Sequence, residues 1–456
     1  MTTVPDPAGS LPPGPPKSAP RPLATGRDPD RAPGPIPAPA LAPATTDAAA
    51  LPLTWRTRAR ALGPGLIGGA SDVDPTTVAT LAVVGAGTTY SLGWLTLLLF
   101  PLLGVIQAIA TRVGIASRLD LQGAIGAIHG STVRWLLLGS VIIVNVITIA
   151  ADLEAGAAAV GLLTGADWRW FVAPLSIVLL LAILTLGYQV LQRALRYLLL
   201  LLLLYAAAAL MARPDWSAVA RGTFVPHLTW DSTHVYGAMS LIGTTATSYV
   251  YVWQTISQSE THTPWAMHRL RRFDALVGCF FATLVCWFIL VAAGATLGVG
   301  HLPVNTADEA AQALRPVAGP FAESLFAIGL LASTVVALPV IVATTAYMTG
   351  THLNWTRGLS LRPRQAPRFF GAMAAAVLLG TIAGYSSVSP MTILYWAGVF
   401  GAVGTPVGLI LLLRAATNRT IMGTRTVGRP LLAAGWAMTA LIIATSAAGL
   451  IQLLTG

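Results

Sequence analysis

Gly68-Gly69-Ala70-Ser71-Asp72-Val73-Asp74-Pro75-Thr76-Thr77 interrupts an apolar segment that runs from about residue 62 to 88. Pro75 removes a backbone donor and clashes with the preceding turn, so a helix through this segment breaks there. Asp72 and Asp74 stand beside the break. A second interruption, Gly243-Thr244-Thr245-Ala246-Thr247-Ser248-Tyr249, places a run of hydroxyls inside another apolar segment, about 234–258. How the two breaks relate depends on what surrounds the chain and on how many segments separate them.

The surroundings are lipid. Of 456 residues, 55% are hydrophobic and only 10% are charged, against about 25% charged in a soluble domain. Apolar residues come in runs such as Leu198 to Leu204 and Ile328 to Val342, and a helix crossing the hydrocarbon core needs about 20 of them. An ordinary soluble enzyme is excluded. The pattern predicts about eleven membrane-spanning segments, near 62–88, 91–111, 133–157, 168–188, 193–212, 234–258, 273–298, 319–350, 367–384, 391–413 and 428–453. The net charge of +10 does not imply nucleic-acid binding, because the basic residues fall singly in short gaps between apolar runs. Taken alternately, those gaps hold 19 arginines on one side and 4 on the other, Arg169, Arg213, Arg221 and Arg315. Arginine-rich gaps stay in the cytoplasm. The expected setting is therefore a bacterial-type inner membrane, with the amino terminus cytoplasmic and the carboxyl terminus outside. Dropping or adding one segment would destroy the alternation.

Residues 1–52 are rich in Pro, Ala and Gly, lack periodicity and read as a disordered cytoplasmic tail. No apolar run follows a basic start there, so no signal peptide is expected. Residues 53–456 form the transmembrane domain. Segments one and six lie five apart, an odd separation that sends them in opposite directions through the bilayer. Matching interruptions in two such halves mark the substrate site of an inverted-repeat transporter. The expected fold is all-α: a 5+5 inverted repeat, about 60–212 and 233–413, with segments one and six broken and an accessory helix at 428–453. Cys279 and Cys286 fall two helical turns apart on one segment, roughly 10 Å along its axis, too far for a disulfide. They read as small buried apolar side chains.

An ionisable group inside a membrane segment is a functional hypothesis by default. Unwinding at Pro75 frees backbone carbonyls, which lipid does not tolerate but a cavity does. A carboxylate beside freed carbonyls is a hard-oxygen site for a cation. Asp74 is the expected ligand, with the Thr77 hydroxyl, the Thr244 carbonyl and the Thr247 hydroxyl completing the set around a partly hydrated ion. Asp74 could instead simply cap a helix, and the threonines could bond back to their own helix. Ser71, Thr245, Ser248, Tyr249 and Gln254 are secondary candidates. On a helix Asp72 would point away from Asp74, either lining an access path or pairing with a cationic residue. No Cys, Met or His lies in either break. The seven histidines are scattered without metal spacing.

These residues are familiar. Gly63-Pro64-Gly65-Leu66 leading to Asp74-Pro75-Thr76-Thr77-Val78-Ala79-Thr80 resembles the first helix of the Nramp family of divalent-metal transporters, which carries an Asp-Pro-Gly-Asn signature there. The stretch from Gly243-Thr244-Thr245 to Trp253-Gln254 looks more like the bacterial Nramp-related magnesium transporters, as do Asp152 in Ala150-Ala151-Asp152-Leu153 and the triplet Leu394-Tyr395-Trp396. The resemblance spans about residues 60 to 413 and implies a LeuT-like fold. Departures from the metal-transporting members are informative. Thr77 stands where their metal-binding asparagine does, and Thr247 replaces their soft methionine. Tyr249 and Gln254 replace their histidines, which belong to the family's proton coupling. A hydroxyl in place of a thioether favours hard cations, and losing the histidines removes groups that titrate near neutrality. Gly401 stands where the magnesium branch favours a polar residue. Family members carry protons on acids in the third segment; here Asp152 and Glu154 are candidates for that path, or for structural pairing with an arginine or a loop near the outer end.

The resulting expectation is a transporter, not an enzyme, with no cofactor. Its substrate would be a divalent cation, Mg²⁺ foremost with Mn²⁺ beside it, moved by alternating access with weak or no proton coupling. Its partners would be that ion and the lipid bilayer. Proton-coupled Mn²⁺ or Fe²⁺ uptake is the alternative within the class. An amino-acid or amine carrier of the same architecture is disfavoured, because Asp74 would repel a substrate carboxylate. An integral-membrane lipid enzyme lacks a cluster of catalytic acids or histidines at one membrane face.

Overall fold

The structure, a computed structural model, describes residues 72–185, 204–300, 304–315, 319–385 and 388–455. The expected tail at 1–52, Ser71, the first half of segment one and residues 193–203 of segment five lie outside the described residues. Every described element is helical. In chain order they are α1 Pro75–Thr88, α2 Gly93–Ser117, α3 Leu121–Ile128, α4 Ser131–Thr164, α5 Arg169–Thr185, α6 Trp216–Phe224, α7 Ser232–Thr245 and α8 Ser248–Glu260. Then come α9 His268–Ala293, α10 Ala307–Ala311, α11 Ala322–His352, α12 Pro367–Ala383, α13 Pro390–Thr417, α14 Arg419–Met422 and α15 Arg429–Thr455.

Among the described residues, six helical rods are long and apolar enough to cross a membrane: α2, α4, α9 with its flanking turns, α11 with the turn before it, α13 and α15. α5 and α12 are apolar but shorter. Together with α1 and the α7–α8 pair, these helices coincide with each predicted segment except the fifth, of which residues 204–211 are helical. The third segment is longer than its apolar run suggests, Ser131–Thr164, ending where Gly165 takes a left-handed conformation at φ 74°. The short helices α3 and α6 are absent from the sequence reading. Asp120 caps α3 and Asp215 caps α6, each carboxylate accepting from backbone amides of the first turn.

Packing follows the expected repeat. α1 lies on α7, α2 on α9, α4 on α11 and α5 on α12, so each of the first four segments meets the one five places later. The contact that positions the second break is glycine on backbone. A Cβ at Gly243 of α7 would fall 2.0 Å from the Gly398 carbonyl oxygen and 2.6 Å from the Ala402 nitrogen of α13. Gly401 of α13 in turn faces the Gly243 carbonyl and the Thr247 methyl. At Gly401, α13 thus meets α7 by close backbone approach and not through a polar side chain.

At the opposite end of α7, Asp231 caps the helix, accepting from the His234 amide at 3.0 Å and pairing with the His234 ring. The Thr229 hydroxyl, with those His234 contacts, holds the Asp231 carboxyl down at about 2 from an ordinary 3.8.

Candidate cation site

The second break is present; at the first, the described residues show a turn at 72–74 leading into a helix. α1 begins at Pro75 with Asp74 as its N-cap, the Asp74 Oδ1 accepting from the Thr77 amide at 2.7 Å. Proline suits the first helical position because its missing N–H has no intrahelical partner there. Segment six divides into α7 and α8, with Ala246 and Thr247 outside helical geometry. A helix that stops at Thr245 leaves its last carbonyls, Thr244's among them, outside its own hydrogen-bond ladder.

Side chains from the two breaks meet. The Thr77 hydroxyl lies 3.0 Å from the Thr244 hydroxyl and donates to the Asp72 carbonyl at 2.9 Å. The Tyr249 hydroxyl donates to Asp74 Oδ2 at 3.1 Å. Asp74, Thr77, Thr244 and Tyr249 are fully buried. The Asp74 carboxylate therefore is a helix cap, as the plainer reading had it, and is also the anionic centre of the junction. Its two oxygens offer about four lone-pair sites, of which two are engaged. The positive end of the α1 dipole favours negative charge there. The hydroxyls of Thr247 and Ser248 are buried without a hydrogen-bond partner. Among the described residues no three His, Cys, Asp or Glu side chains converge as a metal centre, so the donor set is one capping carboxylate plus hydroxyl and carbonyl oxygens.

Other predicted residues fall elsewhere. Thr245 bonds back to the Leu241 carbonyl at 2.8 Å, so its hydroxyl is committed to its own helix. Gln254 joins α8 to α2 through the Thr111 hydroxyl at 2.7 Å, away from Asp74. Ser71 lies outside the described residues. The expectation that Asp72 points away from Asp74 assumed a helix; residues 72–74 form a turn instead. The sequence reading put Asp152 near the outer end of its segment, either on a proton path or paired with an arginine or a loop. It is instead fully buried within α4 and accepts from the Thr76 hydroxyl at 3.0 Å, next to the site. Glu154 is also buried and lies against Gly384 at the end of α12, apart from the junction.

Two contributors escaped the sequence reading. Thr76 was quoted in the break but given no part. Ser333 of α11 donates to the Val73 carbonyl at 2.7 Å and anchors the turn between the two aspartates. A signal existed: Ser333-Thr334 is a hydroxyl pair inside the apolar run from Ile328 to Val342.

Comparison with known proteins agrees with this architecture. The family described as natural resistance-associated macrophage protein-like, Nramp, matches residues 65–452. The divalent metal cation transporter MntH of Deinococcus radiodurans is 30% identical over 87% of this chain and 90% of its own length. A crystal structure of the Eremococcus coleocola manganese transporter superposes with a TM-score of 0.69 at 19% identity, covering 90% of this chain and 89% of that one. The structure of MhsT in complex with L-phenylalanine reaches 0.55 at 15% identity, over 86% and 97% of the two chains, and shares the fold alone. On its sequence, this chain belongs to the Nramp family.

Proposed function

We propose that the protein carries a divalent metal cation across the plasma membrane, Mg²⁺ foremost and Mn²⁺ second, by alternating access with weak or no proton coupling. It acts as a transporter and not as an enzyme. The observation that carries this reading is the meeting of the Asp74 carboxylate with Thr77 and Thr244 where two broken helices face each other. Oxygen donors of that kind suit a hard cation that keeps part of its water. The unpartnered Thr247 hydroxyl at the second break supports the same preference, since a hydroxyl stands where a soft sulfur ligand would favour Mn²⁺ or Fe²⁺. The curated relatives matched here are named as divalent metal cation transporters, which supports the substrate class.

In this reading Asp74 supplies charge, while Thr77, Thr244 and Thr247 orient the ion and its water. The repeat at about 60–212 and 233–413 rocks around the fixed site. With the amino terminus inside, inward flow gains about 2.3 kcal/mol per charge per 100 mV of membrane potential. A second reading, proton-coupled Mn²⁺ uptake, is favoured by Asp152, whose carboxylate reaches α1 through Thr76. Purified protein in liposomes loaded with a Mg²⁺ indicator and a pH dye separates the two. The first reading expects Mg²⁺ influx at constant lumenal pH. Acidification stoichiometric with Mn²⁺ influx, and no Mg²⁺ influx, would reject it in favour of the second.

A further inference from the structure

Asp72 is 1% exposed, and neither of its carboxylate oxygens has a hydrogen-bond partner. Only its backbone is engaged, its carbonyl accepting from Thr77. The ion pairs among the described residues are Arg169–Asp167, His234–Asp231 and Arg357–Asp120, so no described cationic side chain pairs with Asp72. Asp74 stands two residues along the same turn. A buried carboxylate normally has donors or an opposite charge, because removing it from water is costly. Asp74 has its donors and Asp152 has Thr76; Asp72 has a like charge for a neighbour. A buried polar group left in that state calls for an ion or an ordered water.

We propose that Asp72 is a second anionic ligand of the transported ion, which is held between two carboxylates on the turn preceding α1. This rests on reading the Asp74 junction as a cation site, and it adds a basis for charge selection. A divalent ion between the two carboxylates is neutralised. A monovalent ion leaves a net negative charge buried in the membrane and is rejected. The turn at 72–74, anchored by Ser333 on Val73, lets two aspartates two residues apart address one ion, which a continuous helix would not. Neutralising Asp72 therefore has opposite effects on the empty and loaded protein. The empty protein loses an uncompensated charge and gains stability, while the loaded protein loses a ligand.

The test uses the full chain in lipid nanodiscs, titrated with MgCl₂ and separately with MnCl₂ by calorimetry and by thermal unfolding. Asp72→Asn keeps the shape and removes the charge. It is expected to weaken binding of both ions at least tenfold, to shrink the thermal shift that each ion produces, and to raise the melting temperature without metal. Wild-type affinity in Asp72→Asn overturns the proposal, whatever the thermal result, and makes Asp72 a neutral structural group. Asp72→Glu keeps the charge but moves it by one methylene. Measurable binding with an altered Mg²⁺ to Mn²⁺ affinity ratio is expected, and wild-type values for both ions overturn the proposal even if the asparagine variant does not fold. If the wild-type chain binds neither ion while Asp72→Asn folds normally, the cation site itself is refuted, a result distinct from equal binding by wild type and variant.

Discussion

Asp74 both caps α1 and forms the anionic centre of the junction, and comparing Asp74→Asn with Asp74→Ala separates the two roles. Asparagine caps helices as well as aspartate does. Its carbonyl oxygen keeps the Thr77 amide contact, now 2.7 Å, and its amide donates to the Tyr249 hydroxyl, now 3.1 Å from Oδ2. Alanine loses the cap, about 1 kcal/mol, and the hydrogen bond from the buried Tyr249 hydroxyl to Oδ2, about 1–3 kcal/mol. Both variants remove the same buried charge, so that contribution cancels between them. Asp74→Ala should therefore be about 2–4 kcal/mol less stable than Asp74→Asn. Ion binding should treat the two alike. Removing one partner of a buried charge pair costs about 3–5 kcal/mol, which weakens binding by about 10²- to 10³-fold or more. The assays are denaturant unfolding in detergent for stability and calorimetric titration with Mg²⁺ and Mn²⁺ for binding. Asp74→Asn that folds normally and binds either ion within threefold of wild type would show that Asp74 caps a helix and does nothing else, refuting the site.

Thr247→Met should shift preference from Mg²⁺ toward Mn²⁺ and softer ions in competitive liposome uptake; unchanged selectivity would mean that Thr247 does not face the ion. Gly243→Ala places a methyl against the Gly398 carbonyl and the Ala402 nitrogen, and backbone cannot yield as a side chain can. The expected loss is at or above the upper end of the usual overpacking cost, about 3 kcal/mol, with loss of uptake, and a thermal melt indistinguishable from wild type would contradict the packing. For pH, the Asp231 carboxyl is held at about 2 against an ordinary 3.8, so its folded value is depressed. Its contribution to stability is present above about pH 4 and is lost as pH falls toward 2. Asp231→Asn should lower the melting temperature slightly near pH 7, where the contribution is present, and flatten the profile between pH 4 and 2 so that variant and wild type converge near pH 2, with a small amplitude because the side chain is half exposed.

The two breaks were legible in the sequence because proline and polar runs are conspicuous against hydrocarbon. Pro75 after Asp74, and Thr244 to Ser248 amid apolar residues, fixed which segments pair and which residues gather. The direction of a side chain near a break was not legible, since that depends on where the helix stops. Asp72 was assigned helical geometry and turned out to lie on a turn. Thr245 was grouped with its neighbours, yet it remains in the last turn of α7 and bonds to its own helix. Asp152 was placed toward the membrane surface because the apolar run around it ends early; α4 continues to Thr164, which moves the carboxylate into the interior beside Thr76. Gly401 read as the loss of a polar residue, whereas the structure has close backbone approach between α7 and α13 there. Contacts between distant segments, such as Ser333 with Val73, leave no periodic trace in a chain where most residues are apolar.

The central claim concerns where an ion sits, and Mn²⁺ reports its own position through anomalous scattering. Crystals grown with Mn²⁺ should show a single strong anomalous peak at the meeting of the turn before α1 and the gap between α7 and α8, within about 2.0–2.6 Å of an Asp74 oxygen. A peak only elsewhere, with Asp74 still bonded solely to Thr77 and Tyr249, would contradict the account.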